Sequence, residues 1–276
     1  MISDLAPVVP YGHVCWAYDD PAVFEHRARH FLAEGLAAGE RVWYVATGSP
    51  ERVVERLRGS AGFSDALRRG AAQVVTLNET YPGGVVDPLG QLQRYAAATD
   101  EAVAAGYAGL RVAADATPLV RTSAQLAAFA RYEHAVDRYM RIRPLSAMCG
   151  YHRAELGDRT VAALACLHPV NNVAEVLFRL YACAPGDGAA ALAGELDVFN
   201  HEQFATALEH ADLSPVGGEL VVGAGELRFI DHHCLTRLRD YAGGRAATAV
   251  LRTRRTAATR LVELLGLTGL RVEAVR

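Results

Sequence analysis

Short apolar runs rich in β-forming residues alternate with longer stretches whose apolar residues recur every three or four positions, through most of the chain. Residues 13–18, 41–47, 72–77, 110–114, 145–151 and 162–167 read as strands. Residues 49–57, 88–105, 123–141 and 171–182 read as helices, together with one that opens at Asp20-Pro21 and ends at Gly39. Proline is favoured at a first helical position because it has no N–H to leave unsatisfied there. The apolar face of that helix carries Val23, Phe24, Ala28, Phe31, Leu32 and Leu36, a spacing near 3.6. Parallel strands cannot be joined by a tight turn and need a crossover of helical length. The alternation therefore predicts an α/β fold: a mostly parallel sheet with helices on both faces.

The pattern breaks at Ala184-Pro-Gly-Asp-Gly188 and then restarts. A strand is expected at 191–198, a helix at 200–211, a strand region at 219–230 and a helix at 232–242. Strands at 247–252 and 270–274 flank a last helix at 255–265. Two domains are expected, 1–183 and 188–276, with residues 1–12 as a short arm, and 276 residues suffice for both.

Charge excludes one class of partner. Lys and Arg total 28 against 31 Asp and Glu, a net charge of −3, whereas a nucleic-acid surface needs a basic excess. Cysteines at 15, 149, 166, 183 and 234 show no CxxC spacing and read as reduced, mostly buried thiols. The N-terminus lacks the basic and apolar regions of a signal peptide. No run reaches the ~18 apolar residues of a membrane span. The expectation is a cytoplasmic protein, away from membranes and nucleic acid, with no cofactor.

The first strand–turn–helix is where a phosphate loop would lie in a nucleotide-binding α/β domain. Such a loop needs glycines, so that backbone N–H groups approach the phosphates, plus a lysine. The turn here, Tyr18-Asp-Asp-Pro-Ala-Val-Phe-Glu25, has neither glycine nor lysine and carries three carboxylates. Nucleotide hydrolysis at this point is not expected, and Asp115, where a metal-binding acid would follow, reads as a strand-end or capping residue. His13 and Cys15 alternate with Val14 and so share one strand face, as do Cys149 and Tyr151. Nothing local activates either cysteine as a nucleophile, so no enzymatic activity is expected.

Ordered blocks HVCWAYDD, FLAEGLAAGERVWYV, GLRVAADAT, ARYEHAVDRYM, LSAMCGYHR and ACLHP over about residues 10–170 resemble the MEDS domain, a sensory domain of methanogen and methylotroph signalling proteins. The resemblance implies a RecA/KaiC-like fold without the phosphate loop, and a small-molecule ligand such as a hydrocarbon derivative. In open α/β sheets ligands bind at the carboxyl edge. The candidate ligand-binding residues are therefore His13, Cys15, Tyr18, Asp115, Glu133, Cys149, Tyr151 and His168. A haem-binding, metal-binding or enzymatic protein using the His13, Cys15 and Cys149 region is the alternative.

The second unit reads GELD at 194–197, FID at 229–231 and LVELLGL at 261–267, and resembles the STAS domain, an anti-sigma-factor-antagonist type of module. The resemblance implies a smaller α/β domain whose partner is an anti-sigma factor or a related signalling protein. Asp197, Asp231, His232, His233, Cys234 and Arg237 are the candidate partner-binding residues. Family members often carry a phosphorylatable serine after FID, where this chain has His232 and His233. No phospho-serine switch is expected. The histidines remain open as a plain docking surface, a charge-sensitive contact, or a phosphorylation or metal site. Self-association into a homodimer through the sheet edge also stays open. The combined expectation is a sensor joined to a partner-binding effector.

Overall fold

The computed structural model describes residues 12–60 and 62–275, so the arm expected at 1–12 lies outside the described residues except for Gly12. The first unit opens with β1 (His13–Tyr18), α1 (Pro21–Ala37) and β2 (Arg41–Ala46). Helices α2 (Pro50–Arg58) and α3 (Phe63–Arg68) lead to β3 (Ala72–Thr76), and α4 (Leu77–Thr80) and α5 (Pro88–Ala104) lead to β4 (Leu110–Asp115). Helix α6 (Ser123–Met140) precedes β5 (Leu145–His152), and α7 (Arg153–Leu156) and α8 (Asp158–Ala165) precede β6 (Val170–Asn171). The strands form a six-stranded sheet in the order β3-β2-β4-β5-β1-β6, with every pairing parallel.

Local chemistry sets the helix starts. The Asp20 side chain accepts from the Ala22 N–H ahead of Pro21, which fixes the first turn of α1. Thr122 and Gln125 cap α6 reciprocally, side chain to backbone in both directions.

Two expected elements differ. Residues 162–167, read as a strand, are the end of α8 and the turn after it, because a short apolar run fits a buried helix as well as a strand. Residues 171–182, read as a helix, are the end of β6, a turn at 174–175 and a further strand. Asn172 clamps Ala17 of β1 through its side-chain amide, accepting at 2.7 Å and donating at 2.9 Å. Beyond it, β7 (Phe178–Tyr181) alternates buried and half-buried residues.

The second unit continues with β8 (Ala190–Leu196), α9 (His201–Ala211), β9 (Glu219–Ala224), β10 (Leu227–Ile230), α10 (His232–Gly243), β11 (Thr248–Thr253), α11 (Thr256–Leu264) and β12 (Leu270–Ala274). The strand region expected at 219–230 is thus two strands. The order is β10-β8-β9-β11-β12, with β7 antiparallel to β8. The second sheet therefore takes its first strand from before the 184–188 break at which the sequence places the boundary. Gly194 makes that pairing possible: its φ is +92°, and a Cβ there would stand 2.1 Å from the Leu177 carbonyl oxygen.

The first sheet has two unlike faces. One packs Val14, Met148 and Val42 under Phe24, Phe31 and Leu32 of α1. The other carries Cys15, Cys149 and Tyr151 and runs without a break into Phe178, Leu192 and Phe204 of the second unit. Hydrogen bonds from the backbone tie the two units: Leu180 N–H to the Cys166 carbonyl at 2.7 Å and Ala182 N–H to the Asp137 side chain at Oδ2, 2.7 Å. The Gln203 amide donates to the Ala162 carbonyl at 3.0 Å. The two sheets share one apolar core.

Candidate functional site

The parallel register sets Cys15 beside Cys149 and His13 beside Ala147. Alternation then puts His13, Cys15, Cys149 and Tyr151 on the face that meets the second unit. Helix α6 crosses the same face. Glu133 and Asp137 are four residues apart and project from one side of it, both buried. The turn after α8 adds His168, fully buried.

These side chains meet. His13 Nε2 lies 2.7 Å from Glu133 Oε2, and His168 Nε2 lies 3.4 Å from the same oxygen. Tyr151 donates its hydroxyl to Glu133 Oε1 at 2.8 Å. Cys149 Sγ is 3.8 Å from His13 Nε2. Asp137 Oδ1 stands 3.6 Å from His13 Nδ1, and Oδ2 takes the Ala182 N–H. His168 Nδ1 is 2.9 Å from the Leu164 carbonyl, which can only accept, so Nδ1 carries the proton.

The electrostatics follow from burial and charge together. Burial disfavours a charged His13, but the Glu133 carboxylate, helped by Asp137, reverses this and raises the imidazole to about 9. Burial would raise Glu133, but His168 and His13 outweigh it and hold the carboxyl well below its ordinary range. Asp137 is lowered against burial by His13 and Arg141. Burial pushes Cys15, Cys149 and Tyr151 far up, and Glu133 reinforces all three. The next residue on α6, His134, is pushed down to about 4 by burial. The interior thus holds two carboxylates among imidazoles, a phenol and unactivated thiols. His13, Glu133, Cys149 and His168 present donor atoms all within 4.8 Å of one another.

Sequence reasoning missed Asp137, although its spacing from Glu133 in ARYEHAVDRYM was a usable signal. It also missed a tyrosine group with no sequence signal, because its members come from distant segments. The Tyr81 hydroxyl meets those of Tyr95 at 3.2 Å and Tyr132 at 3.5 Å. Between these rings and the His13–Cys149 pair lies a void of about 10 Å³, room for at most one water. On the outer side of Tyr95 a groove of about 380 Å³ is lined by Trp43, Val75, Gln91 and Arg94.

Tyr18 and Asp115 do not join the cluster, so the eight nominated residues do not form one pocket. Tyr18 has the opposite strand parity to His13 and ends at the sheet's carboxyl edge. Burial raises its phenol, and the nearby Asp115 adds to the shift. A cleft of about 290 Å³ there is lined by Tyr18, Tyr44, Thr47, Arg52 and Asp115. It adjoins one of about 570 Å³ between Asn78, Thr117, Arg121 and Asp115. Asp115 is the last residue of β4, and its Oδ1 accepts from the Thr117 N–H at 3.1 Å. Cys15 lies in the core behind the cluster rather than in a cleft.

In the second unit Asp231 caps α10, accepting from the Cys234 N–H at 2.9 Å. Asp197 accepts from the Phe199 N–H at 2.9 Å. Cys234 is fully buried, with its thiol 3.7 Å from the Asp197 carbonyl, so it cannot touch a partner. The helix geometry turns it inward while His232 and His233 stay exposed, their rings 4.0 Å apart. Arg237 pairs with Glu202. The apolar part of this surface, unforeseen from sequence, is Phe199, 90% exposed, and Phe229, 52% exposed.

A family profile described as MEDS, the methanogen/methylotroph, DcmR sensory domain, matches residues 12–169. The crystal structure of the flagellar accessory protein FlaH from Methanocaldococcus jannaschii is similar over 64% of this chain and 75% of that chain, with 11% identity and a TM-score of 0.35. No curated protein matches. Among the described residues no helix is long and apolar enough to cross a membrane.

Proposed function

The chain belongs to the MEDS family of sensory domains, and from that premise we propose that it is a non-catalytic signalling protein in which a small molecule bound by the first unit alters partner binding by the second. A sensory domain carries the signalling role. The RecA/KaiC-like reading of the first unit is supported by its all-parallel sheet with a cleft at the carboxyl edge, where α1 closes its own N-terminus with Asp20 instead of holding a phosphate. The ligand is a small hydrocarbon derivative, held in the cleft at Tyr18, Tyr44 and Asp115. No catalysis is proposed, because burial pushes Cys15, Cys149 and Cys166 up, opposite to an activated nucleophile.

The STAS-like reading of the second unit makes an anti-sigma factor or related regulator the partner, in a cytoplasmic pathway of transcription control without direct DNA contact. The surface that fits is Phe199, Phe229, His232 and His233, with no serine or threonine at the α10 start to act as a phospho-switch. One observation carries the sensor–effector link. Asp137, which faces His13 in the first sheet, holds the Ala182 N–H where the chain leaves β7, the first strand of the second sheet. A rearrangement around α6 therefore reaches the effector directly.

The test is a binding assay of the full chain with purified anti-sigma-factor kinases, with and without short-chain hydrocarbon derivatives. Binding that is lost in Phe199→Asp and altered by one of the compounds is the expected result. A chain that binds no kinase and melts at the same temperature with every compound would sink the proposal.

A further inference from the structure

The buried cluster gathers four potential metal-ligand atoms, from His13, Glu133, Cys149 and His168, within 4.8 Å of one another. His168 donates through Nδ1 to the Leu164 carbonyl, which aims its Nε2 at Glu133 Oε2, 3.4 Å away. Both atoms are without an aligned hydrogen bond, although each is fully buried. Cys149 Sγ closes the group from β5.

We propose that His13 Nε2, His168 Nε2, Glu133 Oε2 and Cys149 Sγ bind one divalent transition-metal ion, with zinc the best match to a mixed nitrogen, oxygen and sulfur donor set. Zinc bonds of about 2.0–2.3 Å in a tetrahedron separate donor atoms by roughly 3.3–3.8 Å. The observed separations of 3.4 Å for His168–Glu133 and 3.8 Å for Cys149–His13 are already there. The His13–Glu133 pair, at 2.7 Å, has to open.

The surroundings match a metal site too. Metal-bound histidines are normally oriented by an acceptor on the other ring nitrogen. His168 Nδ1 has the Leu164 carbonyl at 2.9 Å, and His13 Nδ1 faces Asp137 Oδ1 at 3.6 Å, an ion-pair distance short of a hydrogen bond. The second oxygen of Glu133 takes the Tyr151 hydroxyl, which leaves Oε2 as a single donor. A dication, with Arg141 beside Asp137, balances the Glu133, Asp137 and Cys149 anions. On coordination the Cys149 thiol proton and the proton between His13 and Glu133 leave to solvent. Four protein ligands leave no open position, so the ion is structural or regulatory rather than catalytic. This site goes beyond the sensory reading and stands without it. If that reading holds, the metal couples to the effector through Asp137 and Ala182.

The experiment uses the full, tag-free chain, stripped with a chelator and titrated with cobalt(II), alongside native mass spectrometry of protein purified without chelator. The expected result is one ion per chain and a cobalt spectrum with a thiolate-to-metal charge-transfer band. Cys149→Ser abolishes that band but keeps tetrahedral d–d absorption at weaker affinity. His168→Gln and Glu133→Gln weaken binding at least 100-fold. Cys183→Ser, whose half-buried thiol bonds the Gly188 carbonyl, binds like the parent chain. Circular dichroism confirms that each variant is folded. A folded parent chain that takes up no cobalt, or a charge-transfer band that survives Cys149→Ser, overturns the proposal. Failure of the kinase assay leaves this outcome unaffected.

Discussion

The two units use the same residue types in opposite settings. In the first, His13, His168, Glu133 and Asp137 point into the core from a strand, a helix and a turn. In the second, His232 and His233 stand in water at the start of α10, beside an acid that is spent on capping the helix. In a buried setting each polar group depends on its neighbours, and removing one strands the others. On an exposed surface each group is separately solvated and can be lost without collapse. The first arrangement can store a state, and the second can only offer a contact. That difference suits a sensor and an effector respectively.

Substitution can break the comparison, and the effects are expected to fall in this order. Glu133→Leu leaves His13, His168 and the Tyr151 hydroxyl unpartnered in the core. It should cost about 3–5 kcal/mol by urea unfolding of the metal-free chain. A loss no larger than that of the exposed Glu202→Gln control would remove the distinction between the units. Asp137→Asn keeps the side chain's shape but loses the charge facing His13 and Arg141. A cost of about 2 kcal/mol is expected, with faster hydrogen exchange at Ala182 and along β7. Unchanged exchange there would mean that the junction does not depend on this acid.

Asp231→Ala removes the α10 cap and should cost about 1 kcal/mol, read as a lowered midpoint with an unchanged slope in denaturant. Last, Phe199→Asp and His233→Ala should each leave stability within about 0.5 kcal/mol while weakening partner binding. A large loss of stability in either would show that this surface is part of the core after all.

Much of the fold was legible because strands and helices have different periods. The crossovers from β1 to β5 follow from run lengths and caps such as Asp20-Pro21. Legibility failed where length and period did not discriminate. The run at 162–167 is too short to separate a strand from a buried helix, and 171–182 has its conformation set by Asn172 reaching Ala17, far away in sequence. The site was partly legible in the same way. Strand parity already grouped His13 with Cys15 and Cys149 with Tyr151.

The sequence by itself determined the α/β class, the absence of a phosphate loop and the pairing of side chains on each strand face. Only the tertiary structure decided which face of the first sheet would be polar, that Glu133 and His168 would meet there, that Tyr18 and Asp115 would lie elsewhere, and that the two sheets would share one core. The reason is physical. Periodicity and capping act between residues a few positions apart, whereas the order β3-β2-β4-β5-β1-β6 sets Cys149 beside His13, 136 positions away, and the Asp137–Ala182 bond spans 45.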